Sequence, residues 1–113
     1  MSQFIIQESD QFIYSVEEAA VWILESNLES SEEFALQKLA EFQNDIELLK
    51  ERLQQFPESG EGDEVKGVRK FPIYVGRYSV KWIVQKSERT VTLIALTDSK
   101  YPKQLKAIQL DDL

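Results

Sequence analysis

At 113 residues, 42% of them apolar, the chain is long enough for one hydrophobic core and too short for two ordinary domains, so a single domain over residues 1–113 is expected. It contains no cysteine and no histidine, which excludes disulfides, thiolate metal sites, cysteine nucleophiles and the usual general base, and leaves Glu, Asp, Lys or Tyr for any acid–base chemistry. The net charge of −7 conceals two opposed halves: residues 1–64 carry 16 acidic and 3 basic side chains, residues 65–113 carry 4 acidic and 10 basic.

The first residues have no basic n-region, and no run approaches the roughly 18–20 apolar residues of a membrane span, so the expectation is a cytoplasmic chain with no membrane contact. Phe4, Ile5 and Ile6 are β-prone and are followed by Glu8, Ser9 and Asp10, which predicts a strand over residues 3–8 ending at a helix start. Phe12, Ile13, Val16, Ala20, Ile23 and Leu24 recur by threes and fours and predict an amphipathic helix. Ser15 with Glu18 forms a possible capping box, but Phe12 and Ile13 already lie on the stripe, which favours a start at Ser9 or Asp10.

Residues 27–31 break the pattern, and Ser30 with Glu33 offers a cap for a second helix. Its seam, Ala35, Leu39, Phe42, Ile46, Leu49, Leu53 and Phe56, steps alternately by four and three. The short connection favours a helical hairpin over a coiled-coil dimer. Pro57 ends the helix, and residues 58–64 read as a solvated loop.

From Val65 the period becomes two. Tyr78, Val80, Trp82 and Val84 fall on one face of a strand, with Ser79, Lys81, Ile83 and Gln85 on the other. After a connection at 86–89, Val91, Leu93 and Ala95 alternate with Thr92, Ile94 and Leu96. Ile83, Ile94 and Leu96 then make the second face half-apolar, either covered by the chain's own tail or open to a partner. Residues 102–113 are either a flexible end or a short amphipathic helix.

The order of strand, helical hairpin, Pro/Gly loop and three-stranded antiparallel meander is an α+β plan. With Val68, Arg69, Lys70, Phe71 and Pro72, and with Gly76, Arg77 and Tyr78 leading into Val80, Trp82 and Val84, it resembles the ParE/RelE superfamily of bacterial type II toxins over about residues 3–101, more closely the ParE branch. The resemblance implies a toxin held inactive by an antitoxin, which lays a helix beside the helical hairpin and often adds a strand to the sheet. ParE members are associated with DNA gyrase, RelE members with ribosome-dependent mRNA cleavage. RelE-type nucleases place an arginine directly after the tyrosine of the central strand, where this chain has Ser79. The basic cluster that often closes ParE-like chains is missing too, so a non-toxic binding module is a further alternative.

Arg69, Arg77, Lys81, Lys100 and Tyr101 are the candidate target-binding residues. Lys81, Lys100 and Tyr101 would be catalytic only on the ribonuclease alternative. Direct nucleic-acid binding is disfavoured by the net charge and the acidic helices, and a protein partner is preferred for the cationic face. Trp22, off the main stripe of its helix, joins Ile83, Ile94 and Leu96 as candidate antitoxin contacts; Trp82 is in phase with the core. The carboxylates Glu29, Glu32 and Glu33 match an ordinary acidic first turn, and Glu61, Asp63 and Glu64 lack calcium-loop spacing. No metal or other cofactor is indicated, and the assembly is either a homodimer or a toxin–antitoxin hetero-oligomer.

Overall fold

In the computed structural model, which describes residues 3–100, two helices cover one face of a five-stranded sheet. The elements run β1 (Ile5–Glu8), α1 (Asp10–Asn27), α2 (Glu32–Gln55), β2 (Glu61–Gly62), β3 (Arg69–Ile73), β4 (Tyr78–Gln85) and β5 (Thr90–Asp98). Across the sheet the order is β1-β5-β4-β3-β2. The meander β3-β4-β5 is antiparallel, and β1 is parallel to β5, so the helical hairpin is the crossover that a parallel pair needs. Tyr101 and residues 102–113, for which a tail was expected, lie outside the described residues.

Each helix begins where a serine can cap it. The Ser9 hydroxyl accepts the Phe12 N–H at 3.1 Å, which confirms the early start of α1. For α2 the cap is Ser31, not Ser30: its hydroxyl accepts the Phe34 N–H at 2.9 Å. Phe12, Ala19 and Ile23 of α1 meet Phe42, Ile46, Leu49 and Leu53 of α2 over Tyr78, Val80, Trp82, Val91 and Leu93 of the sheet. Burying each large side chain contributes roughly 1.5–3 kcal/mol relative to exposure, and this shared core is the main reason the hairpin stays on the sheet. The stripe of α1 keeps Phe12 and Ile23 but is rotated toward Ala19, which is buried, and away from Ile13, which is exposed. The α2 seam ends at Leu53; Phe56, placed on it by spacing, follows the last helical residue and is exposed.

The largest departure from strict alternation lies in β5. Trp82 pairs with Leu93 and Lys81 with Ala95, so Ile94 is an extra residue, a β-bulge. Beyond it the faces exchange: Leu96, expected on the outer face, joins the main core, and Ala95 moves to the outer one. Two serines, the α1 cap Ser9 and Ser15 within the helix, hold the bulge. The Ser9 hydroxyl donates to the Ile94 carbonyl at 3.1 Å, and the Ser15 hydroxyl accepts the Leu96 N–H at 3.0 Å while donating to the Phe12 carbonyl. Ser15 is thus a tie between helix and strand and caps nothing. β2 is also new, a two-residue strand inside the segment read as a solvated loop.

Candidate functional site

The cations of the sheet fall into two groups. Arg77 stands at the end of the sheet, just past the β3–β4 turn. Its guanidinium grips Asp98 at the end of β5 through two hydrogen bonds, 3.0 and 3.1 Å, and lies 4.2 Å from the centroid of the Trp22 ring on α1. The Lys100 backbone N–H caps the same carboxylate at 2.8 Å, and the Lys100 side chain is exposed beside it. Arg77 and Lys100 therefore form one cationic end of the sheet.

The turn that carries Arg77 is strained. Tyr74 and Val75 have φ of 53° and 54°, followed by Gly76 at 80°, and a β-branched residue such as Val75 is an outlier there. Asp45 on α2 anchors the turn by accepting the Tyr74 N–H at 2.8 Å, and Phe42 packs against the rings of Tyr74 and Tyr78. Burial pushes both phenols above their ordinary range, so they stay neutral at physiological pH. Val75 projects from the tip fully exposed.

Arg69 and Lys81 belong to a latch about 13 Å along β4 from Arg77, at roughly 3.3 Å per residue. Lys81 reaches Asp63 at 3.2 Å, Lys70 reaches the same carboxylate at 3.7 Å, and the Val65 N–H donates to it. The Asp63 side chain is only 4% exposed. Its burial opposes ionisation, but the Val65 N–H and the two ammonium groups outweigh it and hold the carboxyl below its ordinary range. Arg69 donates to the carbonyls of Ser59 and Gly60. The segment after α2 is thus fastened to the sheet by the very cations the sequence offered for a target. Lys81 is also poorly placed for catalysis.

Of the proposed antitoxin contacts, Trp22 is half-exposed and engaged by Arg77, and Ile83 is half-buried. Ile94 and Leu96 are buried and not presented at the surface, Ile94 beneath Val65 and Val68 and Leu96 in the main core, where the bulge turns it. The accessible apolar surface lies elsewhere, in a groove between the second half of α2 and β3. Leu48, Leu49, Arg52, Phe71, Pro72 and Ile73 line it, and the exposed Phe56 extends it past Arg52. β2 pairs only with Arg69 and Lys70, so Phe71–Ile73 have no strand on that edge among the described residues. The signals for this groove were present in the sequence as an off-seam Leu48 and a Pro72 suited to an edge strand. Among the described residues no three metal-ligating side chains cluster, and no helix is long and apolar enough to cross a membrane.

No protein-family model matches the sequence, and no curated protein matches it. Solved structures do. A chain of the chromosomal ParDE TA system from P. aeruginosa superposes at a TM-score of 0.61 and 17% identity, covering 84% of this chain and 95% of that one. The isolated E. coli RelE toxin aligns over 92% of this chain and 89% of its own at 10% identity, with a TM-score of 0.42. The fold implied by the resemblance is the fold observed, shared with the ParDE chain over most of both molecules.

Proposed function

We propose that this chain is a ParE-like toxin of a type II toxin–antitoxin system, acting in the cytoplasm by stoichiometric binding of a target such as DNA gyrase. The observation that carries the reading is the shared architecture with the ParDE chain over most of both molecules. Two features of the surface support it. The groove along α2 offers apolar side chains next to a strand edge that pairs with no other strand among the described residues, the combination that an antitoxin segment can fill with side chains and extend with backbone hydrogen bonds. The cationic end with Arg77 and Lys100, beside the exposed Val75, is suited to an acidic target surface, steering association through its charge. The ribonuclease alternative loses support, because Lys81 is committed to Asp63.

Inducing the chain alone in bacteria tests the proposal, with growth and plasmid supercoiling as readouts and Arg77→Ala, Lys100→Ala as the comparison. Arrest with perturbed supercoiling, relieved in the double variant, is the expected result. Arrest with truncated mRNA and normal supercoiling would move the chain to the nuclease class, and normal growth with soluble protein would make it a non-toxic binding module.

A further inference from the structure

The surface that the toxin reading does not use is the solvent face of α1. Tyr14 and Val21 of α1 and its C-cap residue Leu28 repeat every seven residues and are 62%, 53% and 47% exposed. At 100° per residue they fall in one row, opposite the buried Phe12, Ala19 and Ile23. A solvated helix face is ordinarily polar at such positions. The row is about 21 Å long at 1.5 Å per residue, enough for three layers of knobs-into-holes contact. Its borders carry Asp10, Glu17 and Glu25, and α1 contains no lysine or arginine at all. Asp10, Glu17 and Glu25 make no ion pair among the described residues, in contrast to the sheet's cations.

From this row we infer that α1 docks a basic amphipathic helix of another protein, with apolar side chains against Tyr14, Val21 and Leu28 and lysines or arginines against the flanking carboxylates. A second copy of the chain fits poorly, because isologous pairing would set Glu17 and Glu25 against like charges. Nucleic acid and anionic membrane surfaces are repelled by the same carboxylates; residues 1–37 hold 8 acidic side chains and no basic one. This inference is independent of the toxin reading and uses a different face from the α2–β3 groove.

The test is fluorescence anisotropy of the full chain with two labelled 21-residue helical peptides of identical apolar a/d residues, one with lysine and arginine at e and g, the other with glutamate there. The basic peptide is expected to bind at least tenfold more tightly than the acidic one. Val21→Asp should weaken it at least tenfold, and Glu17→Lys with Glu25→Lys should reverse the preference. Tyr14→Asp repeats the test should Val21→Asp lose its native circular dichroism. Equal affinity for the two peptides, no binding, or binding indifferent to the Val21 and Tyr14 variants would overturn the inference. So would a monomer–dimer equilibrium in sedimentation that Val21→Asp abolishes, since it would give the face to a second copy.

Discussion

The acidic face of α1 and the basic face of the sheet differ in how their charges are used. On the sheet, Arg69, Lys70, Arg77 and Lys81 all find acceptors within the chain, and two of the acceptors are the carboxylates of Asp63 and Asp98. On α1, Glu17 and Glu25 face solvent beside exposed apolar side chains. A charge that is committed at home supports the fold first, and one that is not is available to a partner; Arg77 serves both ends, because its side chain stays about a quarter exposed beside the exposed Lys100. Net charge by half of the chain does not separate the two cases, because pairing is decided by tertiary distance.

The latch is where substitution should cost most. Gly60 has φ of 77°, and a Cβ there would run into the Lys70 carbonyl oxygen and close on the Trp82 ring. Gly60→Ala should therefore destabilise by about 3 kcal/mol, from positive-φ strain plus the clash, measured by urea unfolding. Asp63→Asn should cost about 2 kcal/mol at neutral pH, since it weakens charged hydrogen bonds to Lys81 and the Val65 N–H. Because Asp63 has a depressed folded pKa, its contribution is present above the unfolded value near 3.8 and is lost as pH falls through the folded one. Unfolding followed below pH 4 should accordingly show a flatter acid limb for Asp63→Asn than for the parent chain.

At the other end of β4, Arg77→Ala should cost about 1 kcal/mol, because its pairing with Asp98 and its stacking on Trp22 are both partly solvated. Val75→Asn should stabilise by roughly 0.5–1 kcal/mol, since asparagine tolerates the left-handed region and the Val75 side chain is fully exposed. Glu17→Lys with Glu25→Lys should leave stability within about 0.5 kcal/mol, the value for exposed positions away from such features. A large loss from that last pair would break the contrast between the two faces.

Much of this was legible in local pattern. The heptad seam of α2, the alternation through Tyr78, Val80 and Trp82, and the early cap of α1 are short-range signals, and each appears in the structure. The bulge at Ile94 was not legible, since its backbone groups are satisfied by Ser9 and Ser15, more than 80 residues earlier in the chain. That one extra residue inverted the faces assigned to Ala95 and Leu96, and with them part of the expected antitoxin surface. The latch escaped for a similar reason. Asp63 sits in an acidic, glycine-containing segment that reads as solvated, and only the fold brings Lys81 to it.

Negative supercoiling by purified DNA gyrase, titrated with three forms of the chain verified as folded, tests the account most directly. The parent chain is predicted to perturb gyrase at stoichiometric amounts, Arg77→Ala with Lys100→Ala to lose that effect, and Glu17→Lys with Glu25→Lys to retain it. Gyrase unaffected by the parent chain, or an effect lost with the α1 variant and kept by the Arg77 and Lys100 variant, would contradict the assignment of the toxin surface to the cationic end of the sheet.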